Sequence, residues 1–262
     1  MIDEILISKQ EGGVATITLN RPEKKNALTV PMWLELSRAF HECNLDDEVR
    51  CIVIRGAGGN FSAGGDLSAA VDPDAKKPEP GEVLELSRAA FYRCSEVART
   101  MQRIEKPIIA LVEGWAIGGA FSIALSADLI YCSETAKFRG NFLHLGRTPE
   151  LGAFVYLPLA IGAYKAKELW FAGKDITGAQ AQELGFVNHV LPEGEAEKEA
   201  YAMAATIAEL PAVCVRVTKR MVNSSYFDKL DMVLSAETQN QPFVGNCEES
   251  RQFLMKNFRK KS

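Results

Sequence analysis

Hydrophobic and polar residues follow two different periods in the N-terminal part of the chain. Apolar residues alternate on either side of a Gly12-Gly13 turn, which is typical of a β-hairpin. After Thr29, a residue type that often caps helices, apolar residues recur at helical spacing and predict a helix with one buried face. The strand positions are Ile5, Ile7, Val14, Ile17 and Leu19, and the helix positions are Trp33, Leu36, Phe40 and Cys43.

Three continuous apolar runs, at residues 51–54, 108–112 and 129–132, predict strands covered on both faces. A helical pattern from about 81 to 103 lies between the first two runs. It follows a polar segment with Pro73, Pro78 and Pro80 that predicts a loop. From Glu193 onward the pattern is helical only. The chain therefore divides into a predicted α/β core at 1–195 and a helical C-terminal region at 196–262.

Composition narrows the class of protein. The 262 residues are 47% hydrophobic and 24% charged, as in ordinary globular proteins, and the net charge of -4 argues against nucleic acid as a partner. Six cysteines without C-x-x-C spacing indicate reduced thiols rather than disulfides or a zinc site. The start MIDEILISKQ lacks a secretory pattern, and no apolar run reaches the ~18 residues of a membrane span. We therefore expect a cytoplasmic protein that uses neither a metal nor a membrane.

Two glycine-rich segments follow predicted strands. GAGGNFSAGGDLS, residues 56–68, is by itself typical of a turn, and it matches neither the P-loop nor the dinucleotide-binding pattern. GWAIGGAFSIALSAD, residues 114–128, places Gly118 and Gly119 before a predicted helix start. Free N–H groups at such a start can stabilise an oxyanion, although close packing through small residues explains the same pattern equally well.

Together with ITLNRPEKKNALT at 17–29, the FSAGGD (61–66) and GWAIGGA (114–120) motifs resemble the enoyl-CoA hydratase/isomerase, or crotonase, family. The resemblance continues through ADLIYCSETAKF at 127–138 and ITGAQAQELGFVNHVLP at 176–192. It implies an α/β fold, a crotonase-like spiral of ββα units with a helical C-terminal region that trimerises. It also implies an acyl-CoA thioester as substrate, with coenzyme A bound as part of that substrate and no separate cofactor.

The resemblance implies positions for the site as well. Coenzyme A is expected to bend along the 61–67 loop, and the N–H groups of Ala63 and Gly119 are expected to form the oxyanion hole. Asp66 is expected to brace the loop rather than touch the reacting carbon. The expected coenzyme A contacts are Lys25, Ala27, Phe61, Ser62, Ala63, Gly64, Gly65, Asp66 and Leu67.

The positions that carry or lack a glutamate predict which reaction the site favours. Hydratases that this chain resembles carry two glutamates, and the matching positions here are Ser122 and Phe142, so hydration is expected to be weak. Glu150, in LGRTPELGAFVYLP at 145–158, resembles the single glutamate of peroxisomal-type Δ3-Δ2-enoyl-CoA isomerases. Its apolar neighbours Leu151 and Phe154 are expected to raise its pKa and strengthen it as a base.

Two classes of function remain open from the sequence. One is an isomerase of fatty-acid or related acyl-CoA catabolism that uses Glu150. The other is a non-catalytic acyl-CoA-binding or interaction protein, which needs no acid at that position. Within the enzyme class, dienoyl isomerisation and hydrolysis are further alternatives. His144, with no paired acid, is expected to be structural.

The apolar C-terminal residues predict a homotrimer or a dimer of trimers, because a helical segment of this kind must cover them against the body or another subunit. These residues are Leu230, Val233, Leu234, Phe243, Val244, Phe253, Leu254 and Phe258.

Overall fold

The computed structural model describes residues 3–68 and 80–258, with side chains at 3–68 and 85–256. Pro73 and Pro78, where we predicted a loop, lie outside the described residues. Pro80 begins a helix. The side chain of Phe258 also lies outside them.

A six-stranded sheet forms the centre of the chain. The predicted hairpin is confirmed: β1 and β2 pair antiparallel, and every later pair in this sheet is parallel. The order is β1-β2-β3-β4-β6-β9, and a smaller sheet has the order β5-β7-β8. The strands are β1 Ile5–Gln10, β2 Val14–Leu19, β3 Cys51–Gly56, β4 Ile108–Val112, β5 Trp115–Ile117, β6 Leu129–Ser133, β7 Lys137–Arg139, β8 Asp175–Thr177 and β9 His189–Leu191.

Helices connect these strands and make up the C-terminal part of the described chain. Thr29 caps the first helix as predicted, since its hydroxyl accepts the Met32 N–H at 3.4 Å. The helices are α1 Val30–Leu45, α2 Pro80–Arg103, α3 Gly119–Ser126, α4 Ala153–Ile161, α5 Ala163–Ala172, α6 Gly178–Leu184, α7 Glu195–Glu209, α8 Ala212–Ser224, α9 Phe227–Asn246 and α10 Glu248–Phe258.

Both faces of the central sheet are covered, which explains the continuous apolar runs of its strands. Ile52, Ile54 and Ile108 face one side and join the main core, together with residues of α1 and α2. Val53 and Ile109 face the other side. There they pack against three alanines one turn apart on α7, Ala196, Ala200 and Ala204.

Among the described residues after Leu191, all regular elements are helices, in agreement with the predicted pattern. The boundary predicted near 195 falls at the start of α7, and α7 covers the outer face of the sheet. Helix α9 packs along α2 and contacts α4. Leu230 and Leu234 of α9 are buried, whereas Phe243 is 71% exposed.

Within the described chain, no single helix is long and apolar enough to cross a membrane. Only α7 and α8 taken together, with a bend of 111° between them, meet the requirement of length and composition.

Candidate active site

Asn26 holds together the glycine-rich loop that follows β3. Its fully buried amide donates to the carbonyls of Ala57 at 2.8 Å and Asn60 at 2.7 Å, and it accepts the Arg21 N–H at 2.9 Å. A buried amide satisfied in this way fixes the loop relative to the preceding segment. Asn26 lies within the ITLNRPEKKNALT motif but was not among the predicted site residues.

Phe61 and Ser62 support this loop from inside the core. Both are fully buried, and their N–H groups donate to the carbonyls of Glu113 and Trp115. The Ser62 hydroxyl donates to the Asn26 carbonyl at 2.7 Å and accepts the Gly64 N–H at 3.0 Å. We therefore reassign these two residues from coenzyme A contact to support of the loop.

The expected oxyanion donor Ala63 requires a correction. Its N–H already donates to the Lys25 carbonyl at 2.8 Å, so it is not free to stabilise an anion. Two residues later, the N–H of the exposed Gly65 has no acceptor among the described residues. Motif matching could not distinguish the two positions, because the difference lies in which N–H the Lys25 carbonyl captures.

Gly119 places a second free donor beside this loop. It is the first residue of α3, so its N–H has no partner within the helix, and it is offered none by the other described residues. A Cβ on Gly64 would lie 3.4 Å from the Gly119 nitrogen and 2.3 Å from the Ile117 carbonyl. This close approach of two backbone segments requires glycine at position 64, and it brings the loop against the positive end of α3.

The other expected contacts lie around the loop's outer edge. Asp66 accepts from Arg21 at 2.6 Å and from the Ser68 N–H at 3.0 Å. Hydrogen bonds from Ser68 and Arg21 lower its pKa to about 2. It thus braces the loop, as predicted. Lys25 is exposed, the Ala27 carbonyl accepts from Arg21, and Leu67 is half-buried.

Glu150 reaches the same place from the loop before α4. Its Oε1 lies 3.3 Å from the position that a Cβ on Gly119 would occupy, and the Trp33 ring lies 3.1 Å from that position. Desolvation raises the pKa of Glu150 to about 7, and the nearby Arg147 opposes the shift. A carboxylate with this pKa is a stronger base than a solvated glutamate and is still ionised in part at neutral pH.

Ser122 and Phe142, which the family resemblance matched to the two hydratase glutamates, place no acid at the start of α3. Ser122 is buried in α3, and its hydroxyl is directed to the Gly118 carbonyl at 3.4 Å. The Phe142 ring lies 3.7 Å from the position of a Cβ on Gly118. Phe142 therefore places an apolar wall beside the start of α3. His144, expected to be structural, has its Nε2 3.2 Å from the Phe171 carbonyl.

Comparison with known proteins identifies the family of this chain. The family model described as "Enoyl-CoA hydratase/isomerase" matches residues 9–261. The chain belongs to the enoyl-CoA hydratase/isomerase family. The α/β fold with a helical C-terminal region expected of this crotonase-type family is confirmed. A crystal structure of an enoyl-CoA hydratase/isomerase from Xanthobacter autotrophicus Py2 matches 99% of this chain and 94% of its own, with a TM-score of 0.88 and 28% identity.

Two relatives within the family carry different reaction names. The chain is 36% identical to "Probable enoyl-CoA hydratase 1, peroxisomal" of Arabidopsis thaliana, over 87% of this chain and 81% of that protein. It is 32% identical to "Enoyl-CoA delta isomerase 2" of Rattus norvegicus, over 88% of this chain and 58% of that longer protein. Membership of the enoyl-CoA hydratase/isomerase family thus shows the fold and the class of acyl-CoA enzyme. The particular reaction must be argued from the residues of the site.

Proposed function

We propose that the protein isomerises 3-enoyl-CoA to 2-enoyl-CoA with Glu150 as its single base. The observation that carries this proposal is the position of Glu150, whose carboxylate lies beside Gly119 while Ser122 and Phe142 occupy the hydratase acid positions. A 1,3-proton shift needs one group that both accepts and returns a proton. Addition of water needs a base for the water and an acid for the α carbon.

The proposed reaction has two proton transfers. The Glu150 carboxylate takes a proton from carbon 2, the C–H electron pair forms the C1–C2 double bond of an enolate, and negative charge moves to the thioester oxygen. The carbonyl then re-forms, and the electrons of the C1–C2 double bond become a C2–C3 double bond. The electrons of the former C3–C4 double bond form the new C–H bond at carbon 4 with the proton from Glu150. The product carries its double bond between carbons 2 and 3, conjugated with the carbonyl.

The free N–H groups of Gly65 and Gly119 are the proposed donors to the enolate oxygen. Such donors act where charge develops, and each contributes roughly 3 kcal/mol in enzymes where it has been measured. The exposed Lys25 is the cation that we propose for the coenzyme A phosphates, with Ala63, Gly64 and Leu67 along the bound molecule. No metal or separate cofactor takes part in the proposed reaction.

Absorbance of the conjugated product tests the proposal directly. Purified protein mixed with 3-enoyl-CoA should produce the 2-enoyl-CoA absorbance at a rate proportional to enzyme concentration. Binding of acyl-CoA without this change would favour the non-catalytic alternative. Production of free coenzyme A, followed with a thiol reagent, would favour hydrolysis. We propose a cytoplasmic setting in acyl-CoA catabolism.

A further inference from the structure

Helix α9 places two buried polar side chains under the loop that carries Glu150. Glu237 and Gln241 are 4% and 5% exposed. They are four residues apart, and residues at this spacing lie on the same face of a helix. Polar groups buried to this extent need hydrogen-bond partners, and both residues find theirs in the 148–152 segment.

Glu237 accepts hydrogen bonds from the backbone just after Glu150. Its two carboxyl oxygens each lie 3.3 Å from the Gly152 nitrogen, and the Leu151 N–H also faces the carboxyl group. Leu151 and Gly152 have φ angles of 59° and 80°, both in the left-handed region. Leucine rarely adopts this conformation, and a strained residue persists only where its surroundings hold it.

Gln241 contacts the other side of the same segment. Its amide nitrogen lies 2.7 Å from the Thr148 carbonyl, 3.3 Å from the Pro149 carbonyl and 3.5 Å from Glu150 Oε2. The first contact is a good hydrogen bond, and the last is long. The amide group of Gln241 therefore contacts both the backbone before Glu150 and the carboxylate of Glu150.

We propose that Glu237 and Gln241 are positioning residues that clamp the 148–152 loop and aim the Glu150 carboxylate at the start of α3. The proposal deepens the proposed isomerase function and rests on it. Neither residue contacts the reacting carbons. Through this clamp of Glu237 and Gln241, helix α9 of the C-terminal region would hold Glu150 in position. Glu150 itself lies on a loop of the α/β core.

The charged groups around the clamp determine which substitutions are conservative. Burial, with a smaller contribution from Glu150, raises the pKa of Glu237 to about 8, and the Gly152 and Leu151 N–H groups and Arg99 of α2 oppose the shift. Arg99 is itself 3.8 Å from Asp231. Arg147 faces Glu150 from the same loop, and the Cys94 thiol faces it from α2. Glu237→Gln keeps an acceptor oxygen for the Gly152 N–H and matches the neutral form of the side chain, which burial favours.

The first test compares Glu237→Gln with Glu237→Leu, which keeps approximate size and removes both oxygens. Glu237→Gln should keep kcat within about threefold of the wild type, whereas Glu237→Leu should lower kcat roughly 10–100-fold with little change in KM. The Leu variant keeping wild-type kcat would overturn the proposal. So would a Gln variant as impaired as the Leu variant, because the acceptor would then not be what matters.

Gln241→Met provides a test that needs neither activity nor a change at Glu237. Loss of the amide donor should raise the pKa of Glu150, because the charged carboxylate loses a hydrogen bond. The midpoint is measured from the carboxyl ¹³C resonance of Glu150 in the ligand-free protein, assigned by its absence in Glu150→Gln. An unchanged midpoint would overturn the clamp. A wild-type protein that fails to isomerise 3-enoyl-CoA would instead defeat the proposed function, and the titration would still decide the clamp.

Discussion

Glu150 is the residue on which the proposed chemistry depends. Glu150→Gln keeps the size and hydrogen-bonding capacity of the side chain and removes its basicity. We expect turnover of 3-enoyl-CoA to fall ~10²–10⁴-fold while acyl-CoA binding, measured by calorimetry, changes little. Glu105→Gln is the matched control, because Glu105 is a half-exposed side chain whose nearest cation is Arg220 at 3.7 Å. Near-normal turnover by Glu150→Gln would contradict the assignment of Glu150 as the base.

The raised pKa of Glu150 predicts how the rate depends on pH. The proposed base acts only when ionised, and desolvation raises its pKa to about 7. The value of kcat/KM should therefore fall about tenfold per pH unit below that pKa. A rate that stays flat down to about pH 5 would mean that Glu150 has an ordinary pKa or is not the base.

The raised pKa of Glu150 also predicts how stability depends on pH. A carboxylate with a lowered pKa stabilises the folded state as pH rises, whereas Glu150 should destabilise it. The folded-state pKa of about 7 lies above the ordinary glutamate value of 4.5, so the folded chain binds more protons between the two values and loses stability as pH rises through this window. Glu150→Gln removes that loss. At pH 8 it should raise the free energy of unfolding by up to roughly 3 kcal/mol, with little effect near pH 4. Thermal unfolding at the two pH values measures the difference.

Ser122 and Phe142 predict that hydration is feeble. Neither side chain can act as a general acid or base, so crotonyl-CoA should be hydrated far more slowly than 3-enoyl-CoA is isomerised. Hydration is measured by the loss of absorbance as conjugated crotonyl-CoA is consumed. Isomerisation is measured by the gain of absorbance as conjugated 2-enoyl-CoA is formed. Comparable rates would show that another group supplies the second acid, and the reaction would have to be assigned again.

At the scale of elements, the site forms where the loop after β3 meets the start of α3, and adjacent glycines in that loop differ in role. Gly64 has a φ of 82°, and a Cβ there would lie 2.3 Å from the Ile117 carbonyl. Gly65 has no atom within 4 Å of its Cβ position. Gly64→Ala should thus displace the loop and weaken acyl-CoA binding. Gly65→Ala retains its N–H and should leave the melting temperature almost unchanged.

Thermal unfolding and calorimetric titration with an acyl-CoA distinguish these two variants. We expect Gly64→Ala to cost at least about 2 kcal/mol of stability, because the strained φ adds to the collision with a backbone carbonyl. Equal stability of the two alanine variants would show that the loop moves freely away from α3, and the close approach would then not define the site.

At the scale of the whole molecule, the C-terminal helices bury one apolar face and expose another. Leu230 and Leu234 are covered within the chain, while Phe243 is 71% exposed and Phe253 is 43% exposed. We expect a homotrimer or a dimer of trimers, so light scattering should give three or six times 28.8 kDa. A mass near 28.8 kDa at micromolar concentration would defeat this expectation.

Point substitutions locate the predicted interface without disturbing the core. Phe243→Asp places a charge on the exposed face of α9 and should lower the measured mass. Tyr164→Asp is the control, because Tyr164 is 91% exposed and lies on α5, which is not one of the C-terminal helices. Equal masses for the wild type and both variants would exclude Phe243 from any subunit interface.

The sequence by itself determined much of this protein's architecture. Periodicity was sufficient for the hairpin, the buried strands and α1, because these patterns record which side of an element faces the core. The three motifs identified the family, and the residues at 122, 142 and 150 predicted the balance of acids. Each of these conclusions depends on the type of residue at a position, which a sequence states directly.

Only the tertiary structure decided which backbone N–H groups are free and which residues contact the loop that carries Glu150. The motif led us to predict Ala63 as a donor, but the Lys25 carbonyl accepts its N–H, and the free N–H is that of Gly65. Glu237 and Gln241 look like ordinary helix residues, and they reach the Glu150 loop from about 90 residues away. Backbone hydrogen bonds and long-range contacts do not depend on residue type alone, so the chain must fold before they can be assigned.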